Sequence, residues 1–354
     1  MSDLMKYHLE CTNCGSVFES DYASQICQKC SGILEVVYEG RITKISRIKS
    51  FWDMEKAMPS GKYIHFYLGN TPEIKSKGSS SLKLKLEFFN PTHSFKDRGS
   101  AIEVAKAAEY GFKEIACAST GNMAYSITYY AKLYGLRSKV FISDNANEDK
   151  INDIKSVGDA DIHKVDGDFT KAQGMALKYS KTHNAFLCGD YCYRKEGQKT
   201  IAYEICNSGK TPENIIVPVG NATLLSATYK ALEEMKKSGP IKRMPRIIAV
   251  QSDRCKPLVD AYSSGSKIKY KKPMTAADAI AVGYPTYGEQ GIEAVKNTKG
   301  TAISVSEDSL KREQKRFMKD YGLVAELASV STIAAFRKLN PNGSTVAVIT
   351  GSNV

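Results

Sequence analysis

The sequence is short of what would take a chain out of water. None of its apolar runs approaches the roughly 18 residues that a membrane-crossing helix needs. Its first residues, MSDLMKYHLE, lack the apolar centre of a signal peptide. Both absences imply a cytoplasmic protein without a membrane partner. Negative charge is also in deficit, with 38 acidic against 50 basic residues and a net charge of +12. That excess suits an anionic ligand. The lysines are dispersed, however, and the densest group, Lys267, Lys269, Lys271 and Lys272, contains one aromatic, Tyr270. Nucleic-acid binders gather basic residues on one face or interleave aromatics among them, so nucleic acid is not the expected partner. No P-loop pattern, no G-x-G-x-x-G run, no internal repeat and no low-complexity stretch is evident. What is present is an ordinary globular composition, 42% apolar and 25% charged over 354 residues, enough for two domains and a sizeable core.

Cysteine, by contrast, is plentiful. Nine cysteines in a chain without an export signal argue for reduced thiols and a metal rather than a disulfide framework. Cys11-Thr-Asn-Cys14 and Cys27-Gln-Lys-Cys30 form two Cys-x-x-Cys knuckles separated by twelve residues. Four thiolates so spaced can close a tetrahedron around zinc and stabilise a fold too small to have its own core. Short strands fit around them at 7–9, 17–18 and 33–37. Four protein ligands leave no open position, so such a metal is structural and takes no part in catalysis.

From about residue 80 the pattern alternates. Strands are expected at 114–118, 139–142, 162–165, 215–219, 246–251 and 345–350, and helices at 122–134, 147–157, 170–181 and 222–236. Repeated βα units imply a parallel sheet covered on both faces, with ligands at the carboxyl ends of its strands. The loops there are rich in donors. Ser119-Thr120-Gly121-Asn122 follows one strand, Gly220-Asn221-Ala222-Thr223 another, and Thr350-Gly351-Ser352-Asn353 the last. A turn of small residues feeding a helix N-terminus can cradle a phosphate with its N–H groups. Each loop alone is also ordinary turn chemistry.

A further corner lies in NPTHSFKDRGS, residues 90–100. The alternation of Leu82, Leu84 and Leu86 ends at the breaker Asn90-Pro91. After Gly99 a helical period begins, with Ala101, Ile102, Val104, Ala105 and Ala108 on one side. Lys96 sits on this strand-to-helix corner, near N–H groups that suit anions.

Taken together, these stretches resemble the fold-type-II family of pyridoxal-phosphate enzymes, and within it the threonine synthases. NPTHSFKDRG is similar to that family's lysine motif, ASTGN to its cofactor-oxygen loop, VPVGNATLLS to its phosphate loop, and VITGS to the strand end facing the pyridine nitrogen. YRKEGQKT resembles a segment characteristic of threonine synthases. An N-terminal zinc ribbon also occurs in the archaeal and bacterial branch. The resemblance runs through nearly the whole chain, in order. It implies a tryptophan-synthase-β-like α/β fold with two parallel-sheet domains and an N-terminal four-cysteine zinc ribbon. The implied division is a ribbon at 1–40, a large cofactor domain from 41–88 and 182–354, and a small mobile domain at 89–181.

The resemblance also implies roles. Lys96 would hold pyridoxal 5'-phosphate as a Schiff base, its amine activated by partial desolvation. Asn122 would meet the ring oxygen, and Gly220, Asn221, Ala222 and Thr223 the cofactor phosphate. Thr350 would offer the ring nitrogen a neutral partner, a choice that favours elimination and replacement chemistry. Ser119 and Thr120 would grip the α-carboxylate of an anionic amino-acid substrate. Arg194 would clamp the phosphate of O-phospho-L-homoserine, which water replaces to give L-threonine. Asp97 and Arg98 read as an ion pair anchoring the corner, and a homodimer is usual in the family.

The departures gather at the substrate phosphate. Met123, Cys188 and Gly189 stand where threonine synthases commonly carry threonine, asparagine and serine. His93 replaces a usual glycine, and ELASVST at 326–332 departs from E-P-A-S-A-A. Other readings therefore stay open. One is another replacing or eliminating enzyme, similar to cysteate or cysteine synthases or to serine/threonine dehydratases. Another is a zinc-ribbon binding protein on a retired enzyme scaffold.

Overall fold

The structure is a computed structural model that describes residues 5–40, 42, 45, 48–119, 121–143, 148–167 and 169–352. In chain order its strands are β1 (Tyr7–Cys11), β2 (Val17–Phe18), β3 (Leu34–Tyr38), β4 (Glu73–Lys75), β5 (Leu82–Leu86), β6 (Glu114–Ala118), β7 (Arg137–Ser143), β8 (Ala160–Val165), β9 (Phe186–Cys188), β10 (Asn214–Pro218), β11 (Arg246–Ser252), β12 (Thr301–Val305) and β13 (Thr345–Ile349). Its helices are α1 (Lys96–Glu109), α2 (Asn122–Leu133), α3 (Glu148–Val157), α4 (Phe169–Thr182), α5 (Cys192–Gln198), α6 (Thr200–Asn207), α7 (Thr223–Ser238), α8 (Pro257–Ser264), α9 (Gly288–Asn297), α10 (Glu307–Tyr321) and α11 (Leu327–Leu339). None of the described helices is long and apolar enough to cross a membrane.

Two compact units result. The first contains residues 1–42, 54–67 and 96–197, and the second 43–53, 68–95 and 198–354. In the first, a small antiparallel sheet, β2-β1-β3, carries the cysteine knuckles, and a parallel sheet runs β8-β7-β6-β9. The outer strand β8 is polar and partly exposed, as an edge strand must be to avoid pairing with another chain. Beneath the sheet lies a small cluster of Ala118, Phe141, Val165, Ala172 and Ala176. The division implied by the sequence places 182–197 with the large domain. Here β9 pairs with β6 in parallel and draws α5 into the first unit.

The second unit is built on β12-β11-β10-β13-β5-β4, parallel except for the β4–β5 pair. Strands β10 and β13 are buried throughout, which is why NIIVP and TVAVI read as continuous apolar runs instead of alternating ones. Leu84, Ile216, Ala335, Ala347 and Ile349 lie in the resulting core. The helix α10 starts with Ser306 accepting from the N–H of Ser309 and ends at Gly322, whose φ is +68°, a left-handed position that favours glycine.

Several expected bounds shift by up to a few residues, and two of the shifts fall beside the candidate site residues. Helix α1 begins at Lys96 itself, not after Gly99, and it is buried around most of its circumference. Its polar residues Ser100, Glu103 and Lys106 are as deeply enclosed as Ile102 and Val104. The expected strand ending at Thr350 stops one residue earlier.

Candidate active site

In the first unit the candidate residues gather at the carboxyl ends of β6 and β9. Lys96 opens α1, its side chain 18% exposed, with Nζ 4.0 Å from a carboxylate oxygen of Asp190 just beyond β9. Across the same sheet end, the Ser119 hydroxyl accepts from the N–H of Gly121 at 3.3 Å, and Asn122 is the first residue of α2. Thr120 lies outside the described residues. The register pairs Cys117 with Cys188, and Ala118 and Met123 line one small cleft with Gly189, Asp190 and Tyr191. Burial pushes the thiol of Cys188 well above its usual value, and that of Cys117 up to about 12. Both are neutral at ordinary pH and unreactive.

Arg194 is fully buried. Its Nε donates to the carbonyl of Gly189 at 2.8 Å, one terminal nitrogen to the carbonyl of Lys96 at 3.3 Å, and the other to Ser100 Oγ at 3.2 Å and Glu103 Oε2 at 2.8 Å. Four of the guanidinium's five N–H groups are thus committed within the unit. A substrate phosphate would have to be met by the fifth N–H or by displacing one of these partners. Asp97 and Arg98 are also fully buried, and Asp97 accepts from the Ser126 hydroxyl at 2.6 Å. Two glycines lock this arrangement. A Cβ on Gly99 would come within 2.6 Å of Arg194 Cγ, and one on Gly197 within 1.9 Å of the carbonyl oxygen of Arg98. The motifs FKDRG and YRKEGQ therefore fit each other through bare backbone.

In the second unit, the loop 220–223 follows β10 and feeds α7. Ala222 caps that helix with φ of +61°, a left-handed conformation that costs an alanine about 1 kcal/mol or more and aims successive N–H groups at a common point. A Cβ on Gly220 would stand 3.1 Å from the carbonyl oxygen of Ala279. Asn221 Oδ1 accepts from the Thr286 hydroxyl at 3.3 Å. Thr350 lies one residue past β13, its hydroxyl 3.1 Å from that of Ser329 on α11. Ser329 also donates to the carbonyl of Gly351 and accepts from its N–H, both at 2.8 Å. Phe95, the residue before Lys96, donates its N–H to the carbonyl of Thr350 at 2.9 Å. His93, where the sequence replaces glycine, has φ of +57°.

The four cysteines of the ribbon come together. The Sγ atoms of Cys11, Cys14, Cys27 and Cys30 lie within 4.8 Å of one another, with Cys11–Cys30 at 3.4 Å and Cys14–Cys27 at 3.7 Å. A zinc tetrahedron with bonds of about 2.3 Å has sulfurs about 3.8 Å apart. Each knuckle also turns an N–H toward its first sulfur, Asn13 to Cys11 and Lys29 to Cys27, both at 3.4 Å. The Ser16 hydroxyl holds the Cys14 thiol down at about 6, whereas burial lifts Cys11 to about 11.

Sequence reasoning missed Glu103, Gln25, Asp190 and Ser329. Glu103 had a signal: an acid on the apolar side of α1, two helical turns after Lys96. The others sit in loops and helices whose polarity is ordinary in the sequence.

The class of protein follows from this arrangement and from its relatives. The chain belongs to the pyridoxal-phosphate-dependent enzymes: the family model for "Pyridoxal-phosphate dependent enzyme" matches residues 64–351. Among its relatives is the threonine synthase of Methanocaldococcus jannaschii, 33% identical over 94% of this chain and 87% of that one. The threonine synthase of Methanosarcina acetivorans is 32% identical with the same coverage. Serine racemase from maize shares the fold, with a TM-score of 0.72 at 22% identity over 81% of this chain and 89% of that one.

Proposed function

We propose that the chain is a threonine synthase-like lyase, converting O-phospho-L-homoserine and water to L-threonine and phosphate. The observation that carries this reading is the length of the likeness: 33% identity to a threonine synthase across 94% of the chain, with the lysine corner and all three donor loops in order. The side chains fit pyridoxal phosphate. Lys96 offers a partly exposed amine, the 220–223 turn a glycine and left-handed backbone before a helix, and Thr350 a neutral hydroxyl held by Ser329. When bound, the cofactor withdraws electrons from the substrate's α-carbon and so loosens the neighbouring protons.

The chain's own residues would do the rest. Lys96 would anchor the cofactor and then carry protons, taking one from Cα and one from Cβ. It would return one to Cγ after phosphate departs and one to Cα, while water gives its hydroxyl to Cβ and its remaining proton to the released phosphate. Asn122 fixes the ring through its oxygen, and Ser119 with Thr120 orients the α-carboxylate. Zinc at Cys11, Cys14, Cys27 and Cys30 would brace the ribbon and touch no reacting atom.

A second reading is favoured by Arg194. Its charge is already answered by Glu103 at 2.8 Å, and Met123, Cys188 and Gly189 bring no hydroxyl or amide side chain to the substrate side. Those losses suit a substrate without a phosphate, handled by replacement or elimination. The experiment offers O-phospho-L-homoserine, O-phosphoserine with sulfite or sulfide, O-acetylserine with sulfide, and threonine in parallel. Threonine and phosphate arising from the first alone supports the leading reading. Turnover confined to a three-carbon substrate or to threonine overturns it and promotes the second.

A further inference from the structure

We infer that Gln25, in the ribbon between the two cysteine knuckles, is a positioning residue for the Lys96 corner and acts through Glu103 and Arg194. The inference rests on Lys96 as the cofactor's anchor. Gln25 is 2% exposed, and both ends of its amide are used. Nε2 donates to Glu103 Oε1 at 2.8 Å and to the carbonyl of Leu187 at 2.9 Å. Oε1 accepts from the N–H of Tyr193 at 3.1 Å and the thiol of Cys192 at 3.7 Å. The same Glu103 oxygen accepts from the N–H of Gly189 at 2.9 Å, while the other takes the Arg194 guanidinium. Arg194 then reaches the carbonyl of Lys96. A continuous line of hydrogen bonds, buried up to Arg194 and part-buried at its last link, thus runs from the ribbon to the residue that opens α1.

The physical reason for an amide at this point is charge. Glu103 is enclosed with Cys117, Cys188, Tyr191 and Arg194 around it. Burial pushes its carboxyl upward, against the pull of Arg194 and of the Gln25 amide. An ionised carboxylate keeps Arg194 neutralised and in place. Loss of the Gln25 donor raises the cost of that charge and loosens the guanidinium that holds both the Lys96 carbonyl and the Gly189 carbonyl beside Asp190. The ribbon is itself braced against the segment it positions. Glu35 pairs with Lys195 at 2.8 Å, Tyr38 donates to Glu196, and Tyr7 meets the Tyr193 hydroxyl at 3.3 Å. All three contacts fall on the YRKE segment that carries Arg194.

The test uses the full-length holoenzyme and a double-mutant cycle. Gln25→Met keeps the volume and removes the amide, and Glu103→Gln keeps the shape and removes the charge. Gln25→Met should lower kcat about tenfold with little change in KM, and should weaken the circular-dichroism band of the bound cofactor near about 410–420 nm. Metal content should stay at the wild-type value. In the Glu103→Gln background the same change should alter kcat less than about twofold, because the link is already cut. Independent, multiplying effects overturn the inference, as does a Gln25→Met enzyme that matches the wild type in kcat and dichroism. Should that variant fail to fold, Gln25→Asn, one methylene shorter, completes the same cycle. A wild-type protein that shows no such band when supplied with pyridoxal phosphate sinks the Lys96 reading and the inference together. A band present but unmoved sinks the inference alone.

Discussion

Both units bury apolar and charged side chains, but they arrange them around different elements. Around β5, β10 and β13 the second unit encloses an apolar cluster of leucine, isoleucine, valine and alanine. Around α1 the first unit encloses Asp97, Arg98, Ser100, Glu103, Lys106 and Arg194 among apolar neighbours such as Ile102, Val104 and Ile127. An apolar core is non-directional and tolerates changes that conserve volume. A buried network of charges and amides is directional and must be satisfied in full. Under the proposed reading the comparison teaches where each kind of precision is needed. The corner that presents Lys96 is pinned by directional hydrogen bonds, whereas the strands that carry the loops after β10 and β13 are set by apolar packing.

The sharpest way to break this contrast is at Lys96. Lys96→Ala should abolish turnover, and borohydride reduction of the holoenzyme followed by peptide mapping should find the pyridoxyl group on Lys96. A label on another lysine would remove the reason for the polar corner. Next come the two cores. Glu103→Ala leaves the Arg194 charge buried without its carboxylate and should cost about 3–5 kcal/mol, against about 2–5 kcal/mol for Leu84→Ala in the apolar cluster, both read by urea denaturation. The two differ in rescue. Glu103→Leu combined with Arg194→Met should recover part of the stability. The Gly189 N–H without its acceptor and the Gly189 carbonyl without its Arg194 donor hold back the rest. The cofactor's dichroism should still be lost, since no guanidinium then holds the Lys96 carbonyl. Recovery of both properties would show that the network only fills space.

A smaller effect is expected at Ser329, a buried hydroxyl on α11 that meets Thr350 and Gly351. Ser329→Ala should cost about 1–3 kcal/mol by removing the acceptor of the Gly351 N–H and one donor to its carbonyl, which keeps the Glu326 N–H. Melting of the apoprotein measures this without reference to catalysis, and an unchanged melting temperature would refute the assignment. The smallest effect concerns the ribbon thiols. In metal-stripped protein Cys14 should be carboxymethylated first, at a rate that rises as the pH passes about 6, because its thiolate is held by Ser16. Cys11, lifted to about 11 by burial, should stay unmodified at neutral pH. Equal labelling of the two would contradict the different surroundings given to them.

Much of this was legible in the sequence because it is local. The cysteine knuckles, the βα alternation and the donor loops are each written in fewer than about twenty consecutive residues, where spacing and turn chemistry suffice. Strand β6 falls where the apolar pattern puts it, and the helix expected from 170 runs from Phe169. Helix α1 starts earlier than its apolar period because the corner is set by backbone packing against Gly99 and Gly197, which no side-chain pattern records.

By itself, then, the sequence determined the architecture, the four-cysteine cluster and the lysine to suspect. It could not determine what Arg194 binds. From its motif the guanidinium reads either as a clamp for a substrate phosphate or as the partner of Glu196 or another carboxylate. Only the tertiary structure brings it Glu103, a separation of 91 residues, and brings Glu103 in turn to Gln25, a further 78 away. The reason is physical. A periodic pattern reports which face of an element is apolar, but a charge on that face finds its partner only when distant segments close around it and exclude water.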